Sequence, residues 1–179
     1  VSVTRQSPTQ EDYQLVTSSI IDESAQLVIL DIVGQLKGQV CWQYQRTYGG
    51  DYHLDFGNKV KSGKYVFGEP FVSTWASSFV VKKNGDVLID TRITGLDEPD
   101  AIKQIAVSLQ NFVGEKVISI EIDFDVLSFN ILFTADLSFH ILPMAEDALV
   151  NLPYWEIMFS RWDGLSVGPG HKYEIKSKD

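Results

Sequence analysis

Apolar and polar residues alternate with a period of two along most of the chain, which predicts strands. In "VISIEIDFD", Ile118, Ile120, Ile122 and Phe124 fall on one side, and Ser119, Glu121, Asp123 and Asp125 on the other. "FNILF" and "LSFHI" continue the pattern: Phe129, Ile131, Phe133, Leu137, Phe139 and Ile141 share a parity, while Asn130 and His140 face away. Two hairpins are expected at Asn84-Gly85 and Asp163-Gly164, because these pairs tolerate the positive φ angles of a type I′ turn.

Two segments follow the helical period instead. Near the N-terminus, Ser7, Pro8 and Gln10 form a capping-box start, and Tyr13, Val16 and Ile20 recur at helical spacing. The second helix is expected to begin between Asp97 and Pro99. It carries Ile102, Ile105, Ala106, Leu109 and Val113 on one face and ends at Gly114.

These features recur in order at a nearly constant offset. Val33-Gly34 matches Val113-Gly114, "YHLDFGNKV" from Tyr52 matches "FNILFTADL" from Phe129, and Trp75 and Phe79 match Trp155 and Phe159. The expected architecture is therefore α+β and rich in antiparallel strand. It has two similar halves of about 80 residues, 1–94 and 95–179, each a helix, a strand meander and a hairpin. No Pro/Ser/Gly-rich linker separates them, so a shared core is expected. Trp75 and Trp155 are expected to anchor the hairpins by packing.

Composition narrows the functional classes. A net charge of −9 and a pI near 4.7 disfavour nucleic acid and anionic membranes as partners and favour a basic protein. Cys41 is the single cysteine and has no partner for an intramolecular bridge. With no apolar run long enough to span a bilayer, this points to the cytoplasm.

Chemical motifs are sparse. Asp51, His53 and Asp55 share a strand face, and His53-x-Asp55 followed by His140 or His171 resembles the His-x-Asp…His iron site of 2-oxoglutarate-dependent oxygenases. That resemblance implies two imidazoles and one carboxylate on a metal. The family's arginine, about ten residues past the distal histidine, is missing after either candidate. Asp55-Phe56-Gly57 repeats a kinase magnesium tripeptide without the loops that give it meaning. Cys41 has no histidine near it in sequence, and the chain contains neither a Gly-x-Ser-x-Gly elbow nor a phosphate-binding glycine loop.

The leading expectation is thus a non-enzymatic protein-binding protein with no cofactor, of the type of a bacterial immunity protein that neutralises a basic toxin. Its candidate contact residues are Glu121, Asp123, Asp125, Arg161 and Trp162. The alternatives are a metal-dependent oxygenase using His53, Asp55 and His140, and a carrier enclosing a small ligand in an apolar cavity.

Overall fold

A computed structural model of the chain describes residues 14–47, 50–144, 152–160 and 163–177. Two antiparallel sheets dominate. The larger runs in the order β1 (Gln14–Ile20), β12 (Lys172–Ser177), β11 (Gly164–Gly168), β10 (Trp155–Met158), β4 (Tyr65–Thr74), β3 (Tyr52–Ser62) and β2 (Gln43–Arg46). The smaller runs β6 (Asp86–Asp90), β5 (Ser77–Lys83), β9 (Leu137–Pro143), β8 (Ser128–Phe133) and β7 (Val117–Asp123).

Both sheets draw on both halves of the chain. The β5–β6 hairpin leaves β4 to pair with β9, and β10–β11 leave β9 to pair with β4. The two crossovers touch where the backbone N–H groups of Trp75 and Ala76 donate to Tyr154 O and Pro153 O at 3.1 and 3.0 Å. At another side, residues 38–41 pair with 114–117 and tie the layers together.

One apolar layer fills the space between the sheets. Phe56 packs on Phe133, Tyr52 on Phe79 and Phe129 on Trp155, each pair joining the two layers. Trp155 is fully buried, and its indole N–H donates to Leu127 O at 2.9 Å, so the ring adds its large area without leaving a polar atom unpaired. Phe129, Ile131, Phe133, Leu137, Phe139 and Ile141 are all buried, as their common parity predicts.

Three short helices are found among the described residues: α1 (Glu23–Gly34), α2 (Thr91–Thr94) and α3 (Pro99–Leu109), the last continued by a 3-10 turn over Gln110–Phe112. The expected N-terminal helix is corrected here. Ser7, Pro8, Gln10 and Tyr13 lie outside the described residues, but Gln14–Ile20 is a strand paired with β12. Val16 and Ile20, four apart, satisfy a period of two as well as a helical one, and the run V-T-S-S-I-I is poor in helix formers. The helix starts instead where the Asp22 carboxylate accepts the Ala25 N–H at 2.8 Å.

The second helix lies where it was expected, with its stripe rotated. Ala101, Ile105, Leu109 and Phe112 are buried, whereas Val113 is exposed, and Gly114 stops the turn at φ +96°. Asn84 and Gly85 have φ of +53° and +84°, as a type I′ turn requires. Asp163-Gly164 forms no such turn. Gly164 is already inside β11 opposite Met158, and Asp163 O instead accepts the N–H groups of Phe159 and Ser160. Ile118 is 50% exposed because the β7–β8 register slips between Val117 and Ser119.

The β3–β4 ribbon bends sharply at its middle. Gly57 (φ +57°) and Asn58 both stand opposite Glu69, and a Cβ on Gly57 would lie 2.2 Å from Glu69 O. By contrast Gly63, at the ribbon tip with φ +61°, has open space around it. Gly57→Ala is therefore expected to cost at least about 2 kcal/mol, and Gly63→Ala about 1 kcal/mol, the cost of the left-handed backbone alone. Urea midpoints of the two variants against wild type measure the difference; equal midpoints would mean that the bend is not required.

Candidate functional site

Residues directly opposite one another on neighbouring antiparallel strands project to the same side. Across the large sheet this places Gln45, His53, Ser73, Glu156, Ser166 and Glu174 in one row, spanning six strands from β2 to β12. The row faces away from the small sheet, because the alternate residues Tyr52, Leu54 and Phe56 point into the core. A polar row on an outer face is ordinary for a half-solvated sheet. Here much of it is dry: Ser73, Glu156 and Ser166 are buried.

The β3–β4 ribbon from Phe56 to Gly68 forms an arm over the Gln45 and Asp55 part of this face. Gly68, like Gly57, has no room for a Cβ, which would meet Phe56 O at 2.4 Å. The buried Asp55 carboxylate accepts the Gly68 N–H and the Gln45 side-chain amide, both at 2.7 Å, and the same amide donates to Val66 O at 3.0 Å. Lys59 adds a contact 4.7 Å from the centroid of the Trp42 ring. Burial raises the Asp55 pKa against the opposing effect of its two hydrogen bonds.

Between the arm and the sheet lies a cavity of about 690 Å³. Tyr65, Phe67, Phe71, Met158 and the His53 ring supply apolar walls, and Gln45, Arg46, Thr47, Ser62 and Ser160 supply polar groups. Phe67 and Phe71 stand nearly perpendicular at 6.1 Å and form an aromatic corner, while His53 stacks on Phe71 at 4.8 Å. The size and the mixture, mostly apolar with a few polar groups, match sites that take small organic ligands. Among the described residues lining the cavity Arg46 is the one that is charged, and its Nη2 also pairs with Asp97 at 2.9 Å.

Behind the cavity wall the polar row is tightly engaged at Glu156 and Ser166, whereas its neighbours Ser73 and His53 differ. Glu156 accepts from Ser166 Oγ at 2.8 Å, Lys176 Nζ at 3.0 Å and Trp75 Nε1 at 3.3 Å. His53 Nε2 and Ser73 Oγ are buried without a hydrogen-bond partner among the described residues. Burial pushes His53 down to about 4, with the Glu156 carboxylate acting in the opposite sense.

The expected site residues divide into separate regions. His53 and Asp55 lie on the outer face of the large sheet, whereas His140 projects from the outer face of the small one, since its neighbours Phe139 and Ile141 point inward. Two stacked sheets separate the histidines by roughly 20 Å, and His171 is in the turn after β11. The His53–Asp55–His140 metal site is therefore corrected: the three residues do not converge. Among the described residues no group of three or more His, Cys, Asp or Glu side chains is placed to hold a metal. Cys41 is buried, and burial pushes its thiol up to about 12, which leaves it unreactive at neutral pH.

Glu121, Asp123 and Asp125 are exposed on the edge strand β7 and its following turn. The Asp123 carboxylate is committed to that turn, accepting the N–H groups of Asp125 and Val126. Arg161 and Trp162 lie outside the described residues, in the β10–β11 connection.

The cavity walls Phe67, Phe71 and Met158 were not singled out from the sequence. A local signal existed in "FGNKVKSGKYVFG", where glycines stand on both strands of a single ribbon. No family model, curated protein or solved structure matches the chain significantly.

The His53 geometry sets a pH dependence. Its folded pKa of about 4 lies below the unfolded value of about 6.5, so between these limits the unfolded state binds more protons and stability falls as pH falls. The loss attributable to His53 is roughly 2–3 kcal/mol by pH 4. Asp55, with a raised pKa, acts in the opposite sense at the acidic end, so the informative quantity is the difference between wild type and His53→Gln. Denaturant titrations from pH 7 to pH 4 should show a shallower decline for the variant; parallel curves would contradict the assignment.

Proposed function

We propose that the chain is a binding protein whose working site is the cavity between the β3–β4 arm and the large sheet, with a small, mainly apolar organic molecule as its ligand. The observation that carries this reading is the cavity itself: about 690 Å³, walled by Tyr65, Phe67, Phe71 and Met158 with polar groups interspersed. A sheet face open to water would gain nothing from aromatic side chains held around a hollow, whereas a ligand filling it recovers both dispersion contacts and apolar burial. A cytoplasmic setting belongs to the same proposal and rests on the lone buried Cys41. Among the described residues, no helix is long and apolar enough to cross a membrane.

A second reading keeps a basic protein partner. Its support is the exposed carboxylate group of Glu121, Asp123 and Asp125 in a chain of net charge −9. Because Asp123 caps a turn, charge reversal belongs at the other two positions. Glu121→Lys with Asp125→Lys should abolish low-salt capture of a basic partner from host lysate without lowering the melting temperature by more than a few degrees; undiminished capture would remove this reading.

The internal duplication remains a proposal as well. What supports it is the parallel order of parts: the meander β2–β3–β4 continued by β10–β11 in one sheet, and β7–β8–β9 continued by β5–β6 in the other. An experimental structure in which the Trp75 and Trp155 segments cannot be superposed, each with its preceding meander, would exclude it.

The ligand reading is tested with the neutral fluorophore phenylnaphthylamine. Wild-type protein should bind it one-to-one with an emission increase. Phe67→Ala should weaken binding about tenfold, the loss of one aromatic wall. Absence of saturable binding, or a Phe67→Ala variant indistinguishable from wild type, would sink the proposal.

A further inference from the structure

We infer that the cavity selects an aromatic or conjugated anion, with its ring system against Phe67 and Phe71 and its acid group on the Arg46 guanidinium. This rests on the ligand-binding reading above and adds the charge of the ligand.

The charge pattern carries the inference. The chain holds 24 acidic and 15 basic residues, yet among the described residues no carboxylate lines the cavity, and Arg46 is the one charged residue that does. The arm that closes the cavity repeats the bias. From Phe56 to Gly68 it contains Lys59, Lys61 and Lys64 and no acidic residue. Lys64 Nζ lies 5.2 Å from the ring centroid of Tyr65, itself a cavity wall. Among the described residues the charged side chains of the lining and the arm are thus all cationic. The neighbouring carboxylates Asp51, Asp55, Asp97 and Asp163 are each bonded to a lining residue, namely Thr47, Gln45, Arg46 and Ser160. This bias disfavours a cationic guest even though aromatic walls alone would accept one.

Arg46 has capacity for such a ligand. Its ion pair with Asp97 uses Nη2, and the Asp97 side chain is 86% exposed. Exposed pairs of this kind contribute little, so a ligand anion can compete for the guanidinium or share its remaining donors. A planar fork of N–H donors suits carboxylate, sulfonate or phosphate oxygens. The aromatic corner selects the other end of the molecule: rings meeting at 80° offer both faces and edges to a flat guest.

The experiment compares two probes of similar shape and different charge, anilinonaphthalene sulfonate and the neutral phenylnaphthylamine, by calorimetry and fluorescence titration. Wild type should bind the sulfonate one-to-one and more tightly than the amine. Arg46→Gln should weaken the sulfonate about tenfold while leaving the amine within about twofold. Asp97→Asn, which removes the competing carboxylate, should tighten the sulfonate without affecting the amine. Equal weakening of both probes by Arg46→Gln, or an unchanged sulfonate affinity, would overturn the anion assignment. Binding of the amine with no preference for the sulfonate would also overturn it and leave the cavity reading standing. Failure of both probes to bind would remove the two together.

Discussion

The Asp55 carboxylate is the contact on which the outer face of the large sheet depends. It is buried, it joins the Gly68 N–H of β4 to the Gln45 amide of β2, and it does so across a ribbon that has bent back on itself. A buried carboxylate carries a desolvation penalty, visible in its raised pKa; the Gln45 bond within the sheet offsets part of it, and the Gly68 bond adds its share only while the arm is folded over. Opening the arm would break the Gly68–Asp55 bond and the Gln45–Val66 bond and part the aromatic walls. The bend, the clasp and the cavity are therefore one cooperative feature, and the two glycines are the steric condition for it: at Gly57 and Gly68 any side chain would strike backbone.

This arrangement sits on a scaffold that leaves it little freedom to shift. Because β10 pairs with β4 and β5 with β9, neither sheet can form from one half of the chain alone, and the halves meet in a single apolar layer from Phe56 through Phe133 to Trp155. The core face of β3 is held by Tyr52, Leu54 and Phe56, which fixes by alternation where His53 and Asp55 must point. A one-residue slip in that strand would turn both polar groups into the core. The same parity that stabilises the sandwich thus positions the floor of the cavity.

How far this could be read beforehand varies with the range of the interactions involved. The common parity of Phe129 to Ile141 and the Asn84-Gly85 turn were legible because each depends on neighbours within a few residues. Asp163-Gly164 misled because Gly164 is small for another reason: a Cβ there would lie 2.3 Å from Met158 Sδ on the paired strand. Val16 and Ile20 misled because a spacing of four fits both periods, and pairing with β12 decided between them. The His53-x-Asp55 pattern correctly placed two polar groups on one face but gave no measure of where His140 lies, since that depends on which sheet β9 joins. The cavity was least legible. Its walls come from β2, β3, β4 and β10, and its roof depends on Asp55 meeting Gly68 after the ribbon has bent.

The unpaired members of the polar row follow from the same geometry. Glu156 sits between Ser73 and Ser166 in register, yet its oxygens are taken by Ser166 and Lys176, on the side away from β3, and by the indole of Trp75 just past the end of β4. Ser73 and His53, next in the row, receive no share of that carboxylate, and the stacking of His53 on Phe71 holds the ring in the cavity wall. A neutral, partnerless imidazole costs stability that a phenyl ring in its place would not. Unsatisfied polar groups of this kind collect at sites where function competes with stability. In this protein His53 and Ser73, without side-chain partners among the described residues, lie on β3 and β4, two of the strands that wall the hollow, while the satisfied part of the row lies on β10, β11 and β12. The outer face is divided accordingly into a part organised for stability and a part that stability alone does not explain.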